Sequence, residues 1–516
     1  MKTSHDRRVT QYALISAFGG FVFGLDAANI SGVVRFVTAQ FGLNSMQVGS
    51  VVGIAGIGAI VALMITGTLC DKYGRKNVLL GLAVLYTLSS SISSLAGSYE
   101  MLLLGRFIGG LAFCSLSISS MYIGEIAPAD KRGKFVSINQ LLITIGSLVA
   151  FIVNYLLVKS IGVVDLVTPE TVWRYMLGFE LIPNVIWIVL LVKVPKSPRW
   201  LISKGRITEA REVFKKIVPA NEVEPLIMNV RQTVSGDNNN LFEQVKDLFS
   251  RRMRLVLFIA VAFAITQQVI GINAVLFYAP VVFEQIGMSV ESSFMQTIYV
   301  GIVNVSFTIV AILFIEKLGR RKLTLAGLAL IVIAHGSSWY GFHSATYQLD
   351  EQSVASLQQQ QVSTEPLSVL MGKQYSSDVE FKADLAELYS PNELPLVTGP
   401  IIESAININA AYVLFGIFLF LGAFHFSIGP IMWVIFSEIF PNKIRSIAIP
   451  FAALITSLTS YFVQQFFPWQ LEHFGAGNTF LSYGTVGLVS LVIMLKVLPE
   501  TKNKSIEDIE ADLVTN

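Results

Sequence analysis

The sequence predicts an all-α membrane protein of twelve transmembrane helices in two pseudo-symmetric six-helix halves, with both termini cytoplasmic. Three observations predict it: too little charge to wet a globular surface, twelve apolar segments of spanning length, and two motifs that recur in the same order in each half. The chain has 516 residues, 53% of them hydrophobic and 14% charged, and its mean hydropathy is +0.62. A soluble domain carries about 25% charged residues, so a soluble globular class is excluded. A net charge of +2 marks no nucleic-acid partner. The two cysteines, Cys70 and Cys114, both lie in apolar segments and support neither a disulfide framework nor a paired-cysteine metal site. No cofactor or metal is expected.

Crossing a bilayer takes ~20 mostly apolar residues. Segments that meet this length fall near 11–34, 47–70, 77–97, 101–124, 135–158 and 174–194, and again near 255–286, 295–315, 323–341, 407–436, 446–467 and 478–498. The N-terminal "MKTSHDRR" is followed by no small-residue cleavage site, so the first segment reads as a retained helix. Lys and Arg crowd one set of connections, "DKYGRKN", "ADKRGK", the polar 195–254 stretch, "EKLGRRKL", "PNKIR" and "PETKNK". The alternate set is nearly free of them, and this asymmetry places the basic side in the cytoplasm. The expected organisation is a first half at 1–195, a linker with short amphipathic helices at 196–253, a second half at 254–499, and a tail at 500–516. Between the ninth and tenth helices lies a long polar outer stretch, 342–406, without cysteine or a glycosylation sequon. It reads either as a solvated insertion or as a lid or partner-binding element.

"DKYGRK" at 71–76 recurs as "EKLGRR" at 316–321, and "EIAPADKR" at 125–132 recurs as "EIFPNKIR" at 438–445. Each occupies the corresponding place in its half. Two related halves around a midplane site is a transporter architecture. Gly74 and Gly319 allow a tight turn. Asp71, Arg75, Glu125 and Arg132, with Glu316, Arg320, Glu438 and Arg445, supply charges that can pair across helix ends as a cytoplasmic gate.

Asp26 stands in the apolar run "FGLDAANISG", far from any other charge in sequence. A carboxylate there costs roughly 2.5–3.5 kcal/mol at the centre of a membrane helix. Arg106 interrupts the fourth apolar segment in the same way, so the two are expected to face each other. Arg stays protonated, whereas burial raises an Asp pKa and a nearby Arg lowers it. A change in their separation between transport states would make Asp26 take up and release a proton. In the seventh segment, "ITQQVIGINAVLFYAP" carries Gln267, Gln268 and Asn273. A helix break at Gly271 would let these amides converge on a polyhydroxylated, uncharged ligand. In the tenth, His425, Gly429 and Trp433 share a face at spacings of four, with Trp433 a flat plate for a sugar ring. In the fifth, Gln140 and Ser147 share a face.

These stretches, together with "GRFIGG", "INQ", "WRYM", "SPRWL", "GPIMWVIFSEIFPNKIR" and "PETKNKS", resemble the sugar porter family of the major facilitator superfamily, and bacterial xylose–proton and hexose–proton symporters in particular. The resemblance covers nearly the whole chain apart from 342–406. It implies the major facilitator fold, alternating access, and sugar contacts at the positions of Phe23, Gln140, Gln267, Gln268, Asn273, Asn304 and Trp433. It also adds Arg174 and Glu180 to the cytoplasmic gate and implies proton coupling at Asp26, since facilitative glucose transporters carry Asn there. Five residues at four places depart from the family pattern: Ser147, Thr456-Ser457, His425 and Lys196. The first three fall in the expected pocket, so pentose specificity does not carry over and a hexose, an inositol or a modified sugar would also fit.

The expected activity is proton-coupled symport of a monosaccharide or related polyol across the cell (inner) membrane by a monomer. Its partners are the sugar, protons and the lipid bilayer. The alternatives are a facilitative uniporter, which Asp26 disfavours, and a non-transporting sensor, which would carry a longer signalling tail than the 17 residues after Pro499. A membrane enzyme is the least favoured reading, since the sequence offers no nucleophile–base constellation, metal spacing or Gly-rich phosphate loop.

Overall fold

The computed structural model describes residues 4–127, 132–235, 241–360, 362–390, 393–441, 443–502, 504, 508–510 and 513. Twelve of its helices are long and apolar enough to cross a membrane. In the first half they are His5–Phe41, Ser45–Tyr73, Arg75–Ser94, Tyr99–Ile126, Ile138–Lys159 and Val172–Val192. In the second they are Arg251–Phe277, Val290–Ile315, Arg320–His343, Ala410–Ile439, Ile447–His473 and Gly475–Val497. They are called spans 1 to 12 below.

Local chemistry sets the ends. Asn44 opens span 2 with a reciprocal capping box to Gln47, which satisfies two otherwise orphaned N–H groups. Gly74 and Gly319 separate spans 2 and 3 and spans 8 and 9, with φ/ψ of 81°/154° and 90°/156°. This positive-φ conformation is open to glycine and strained for other residues. The internal repeat of the sequence is therefore also a repeat of backbone conformation. Spans 1 and 5 approach as closely as backbones can: a Cβ on Gly24 would stand 1.9 Å from the Ile143 carbonyl oxygen, and one on Gly146 2.1 Å from that of Phe21.

The stretch between spans 6 and 7 forms short helices at Pro198–Ser203, Ile207–Ile217, Ala220–Ser235 and Leu241–Leu248. It is anchored by Trp200, whose ring lies under Gly74 and whose Nε1 donates to the Asp71 carbonyl at 3.0 Å. This end of the bundle is called the linker end.

At the opposite end, the polar stretch between spans 9 and 10 is a small folded cap. Strands Thr346–Gln348, Gln374–Tyr375 and Ile406–Asn407 form an antiparallel sheet with the first strand in the middle. Helices Glu351–Gln359, Asp378–Leu388 and Leu394–Ala405 pack on it around a core of its own that includes Tyr347, Leu357, Leu367, Phe381 and Ile401. A bare solvated insertion is thereby corrected: enough apolar side chains converge to exclude water.

The two halves meet at the cap end. Gln465 of span 11 donates to the Met46 carbonyl at 2.8 Å and to Ser50 Oγ at 3.1 Å. Phe36 packs on Phe294, Tyr155 reaches Glu291, and Arg35 of span 1 pairs with Glu284 beyond span 7.

Candidate functional site

Asp26 and Arg106 do face each other. Arg106 Nη1 donates to Asp26 Oδ1 at 2.7 Å, and the residues are 1% and 2% exposed. Among the described residues, Asp26 Oδ2 and Arg106 Nε are buried without a hydrogen-bond partner. A second carboxylate completes the cluster. Glu180 of span 6, 2% exposed, accepts from Asn29 Nδ2 and Ser90 Oγ, each at 2.8 Å, and lies close enough to interact with both Asp26 and Arg106. Asn184 donates to the same Ser90 hydroxyl at 3.2 Å. Two carboxylates and one guanidinium thus share a water-poor space inside the first half.

Glu180 was expected at the cytoplasmic gate, and the structure corrects that placement. Eight residues into span 6, it sits about 12 Å along the helix from Val172 at 1.5 Å per residue. Arg174 is also misplaced by that expectation. It lies at the cap end, donating to the Ser94 carbonyl at 3.1 Å and stacking on Trp173, because span 6 enters the bundle from that side.

The remaining gate residues lie at the linker end. Arg75 Nε reaches Glu125 Oε1 at 3.0 Å and Nη1 reaches Asp71 at 3.7 Å. In the second half Arg320 Nη2 reaches Glu438 Oε1 at 2.9 Å, Thr501 donates to Glu438 at 2.6 Å, and Arg445 donates to the Phe440 carbonyl. Each ion pair joins spans of one half, so these pairs set the shape of a half and do not bridge the two. The side chains of Arg132 and Glu316 lie outside the described residues.

The span 7 helix stops at Val269 and resumes at Ile272 across Gly271, whose φ is +89°. The expected span 255–286 is therefore shorter, ending at Phe277, with a separate turn at Ala279–Glu284 beyond it. The break brings the amides together. Gln267 Nε2 donates to the Gly429 carbonyl at 3.4 Å, Gln268 Nε2 to Gln267 Oε1 at 2.9 Å, and Asn273 Nδ2 to Gln268 Oε1 at 2.8 Å. Asn273 Nδ2 also donates to Ser460 Oγ at 2.7 Å, which accepts from Gln464 Nε2 at 2.6 Å. Ser460 and Gln464 were missed by sequence reasoning; their i, i+4 spacing within apolar span 11 was the available signal. The array holds donors and acceptors on spans 7, 10 and 11 in one chain, which suits a ligand of several hydroxyls.

Trp433, one turn beyond Gly429, is 45% exposed. Phe23 is half-buried, edge-on to Phe113 at 4.8 Å, and Gln140 is half-buried. Asn304 and His425 are buried, His425 Nδ1 lying 3.5 Å from Thr308 Oγ1; among the described residues, Asn304 Oδ1 and His425 Nε2 have no hydrogen-bond partner. Ser147, two turns from Gln140 on span 5, donates to the Gly24 carbonyl at 3.0 Å and joins spans 1 and 5. Among the described residues, no group of three or more His, Cys, Asp or Glu is placed to hold a metal ion.

Residues 12–352 and 396–513 match the family model described as "Sugar (and other) transporter"; the stretch it skips is most of the cap. The chain is 30% identical to the arabinose-proton symporter of Bacillus subtilis over 96% of this chain and 93% of that protein. It is equally identical to the D-xylose-proton symporter of Escherichia coli over 96% and 94%. The inward-open structure of the E. coli xylose transporter XylE superposes with a TM-score of 0.74 at 28% identity, covering 98% of this chain and all of that one. The chain is a multi-pass integral membrane protein and belongs to the sugar transporter family.

Proposed function

We propose that the protein carries a monosaccharide or related polyol together with a proton through the membrane by alternating access, with Asp26 as the coupling carboxylate. The observation that carries this reading is the buried cluster of Asp26, Glu180 and Arg106. With both carboxylates ionised it holds one uncompensated negative charge away from water, and burying an unpaired charge costs several kcal/mol. Binding one proton neutralises the set. The amide chain from Gly429 to Gln464 supplies the polyol side of the reading, and the named activities of the arabinose and xylose relatives agree with it.

The linker end, rich in Lys and Arg, is the cytoplasmic one; span 1 begins there and span 12 ends there. The contacts that join the halves at the cap end then describe a carrier closed to the outside, with Trp433 at the open side of the sugar site. The departures at Ser147, Thr456 and His425 leave the sugar open. Uptake of labelled xylose, glucose, galactose, fructose and myo-inositol into proteoliposomes, each with and without an inward proton gradient, tests the proposal. Accumulation of one member only with the gradient supports symport and names the substrate. Equilibration indifferent to the gradient overturns it in favour of a uniporter.

A further inference from the structure

The cap rides on the second half. Ile406 packs against Gly287, where a Cβ would stand 2.4 Å from Ile406 Cγ2, and Asp378 packs against Gly475, 2.4 Å from a Cβ there. Lys382, paired with Asp378 at 2.9 Å, donates to Gln285 at 2.7 Å. The cap reaches across to the first half through helix Leu394–Ala405. On it, Gly399 lies against the guanidinium of Arg35, 3.3 Å from a Cβ built there, and Glu403 follows one turn later.

Arg35 is held by Glu284 through one carboxylate oxygen, while the other, Oε1, is buried without a hydrogen-bond partner among the described residues. Below the cap helix is a cavity of about 410 Å³ lined by Arg35, Glu284, Glu291, Gln360, Gly399 and Glu403 among others. The charged groups lining it are Arg35 from span 1, Glu284 after span 7, Glu291 of span 8 and Glu403 of the cap helix; next to these, Tyr155 of span 5 reaches Glu291 at 3.5 Å and Lys382, paired with Asp378, donates to Gln285. Glu284 is ion-paired with Arg35, and Glu403 lines the same cavity within electrostatic reach of both. Burial pushes both above the usual carboxylate range, with Arg35 opposing the rise.

We propose that Glu284 and Glu403 form a proton-binding site at the outer mouth that fills as the cap closes over Arg35, making the cap an acid-favoured lid. The proton comes from bulk water, adds to one carboxylate oxygen, and leaves the other carboxylate to balance Arg35. In the open form the cap helix withdraws from Arg35, both carboxylates are hydrated, and their affinity for a proton falls to the ordinary range. The closed form therefore binds more protons than the open one. By linkage, acid stabilises closure, and closure is lost as pH rises through the raised values. One proton per closure changes the closed-to-open ratio by up to about tenfold per pH unit between the two affinities. The inference rests on alternating access but not on proton-driven uptake.

The test is a distance measurement between spin labels on Gln358→Cys in the cap and Val163→Cys on the exposed turn after span 5, in full-length protein in lipid nanodiscs. Both positions are exposed, and the native Cys70 and Cys114 are buried. The short-distance population is expected to grow several-fold from pH 8 to pH 5.5, and Glu403→Gln or Glu284→Gln to remove most of that response. A distribution identical at the two pH values, or a response that survives intact in both variants, overturns the proposal. If the distances respond while sugar uptake ignores the proton gradient, symport fails and the lid stands. If uptake is proton-driven and the distances do not respond, the lid alone fails.

Discussion

Replacing Asp26 by Asn separates the coupling role from a structural one. The pair it breaks is 2.7 Å long and almost wholly buried, and removing one partner of such a pair costs about 3–5 kcal/mol when the other is left uncompensated. Here it is not left so, because Glu180 remains beside Arg106 and the residual cluster is neutral. Asp26→Asn is therefore expected to fold, with a stability loss below that range. Its transport defect is expected to be specific. One charge moving down 100 mV gains ~2.3 kcal/mol, which at 1.4 kcal/mol per factor of ten is about fifty-fold of sugar accumulation. Under a potassium diffusion potential of that size, wild-type proteoliposomes should approach that ratio. The variant should stop at equality while still exchanging labelled for unlabelled sugar. Accumulation near fifty-fold in Asp26→Asn would refute the assignment of the coupling proton to this carboxylate. Loss of exchange as well, with the fold intact, would refute the separation of sugar binding from proton binding.

Three further outcomes follow from the same geometry. Arg106→Gln leaves Asp26 and Glu180 facing each other without a cation, so it should destabilise the protein by about 3–5 kcal/mol and melt well below Asp26→Asn in a thermal-shift assay. Gly271→Ala forces a Cβ to within 2.4 Å of the Tyr483 ring at φ +89°. About 1–3 kcal/mol of backbone strain should lower the melting temperature and, by misaligning Gln268 and Asn273, weaken binding of labelled sugar. Gln268→Ala and Ser460→Ala each break the amide chain; at about 1 kcal/mol per hydrogen bond, each should weaken sugar binding roughly five- to tenfold without changing the proton dependence of uptake.

The spans and the duplication were legible because the bilayer imposes length and composition on every crossing, and because "DKYGRK" and "EKLGRR" demand the same turn at Gly74 and Gly319. Asp26 and Arg106 were legible for a related reason: a lone charge in an apolar run must find a partner. Glu180 was misread although the rule that finds Asp26 applies to it, since counting residues from the start of span 6 puts it deep in the helix. Arg174 was misread by overlooking the direction of span 6. The cap resisted reading because its core is drawn from single residues scattered between Tyr347 and Ile402, with no period long enough to signal an element. Ser147 shows the opposite limit: its side chain could serve a ligand or a neighbouring backbone, and the close approach at Gly24 and Gly146, visible only in three dimensions, decides for the backbone.

The location of the central cluster also changes how coupling works. An attractive mechanism from sequence has the Asp26–Arg106 distance change between the outward and inward states. Asp26, Arg106 and Glu180 all belong to the first half, on spans 1, 4 and 6, and the partners Asn29, Ser90 and Asn184 belong there too. Alternating access in this architecture is largely rigid-body rocking of one half against the other, which leaves distances within a half nearly unchanged. The variable that rocking does alter is which side's water reaches the cluster. On the proposed coupling role, Asp26 would then exchange its proton through hydration from the open side, with the 2.7 Å pair persisting through the cycle. The outer carboxylates differ in kind: Glu284 belongs to the second half and Glu403 to the cap that rides on it, whereas Arg35 belongs to the first half, so rocking separates the guanidinium from both. Cross-linking the two halves closed at the cap end would freeze proton exchange at Glu284 and Glu403, while Asp26 would still exchange its proton with the side left open.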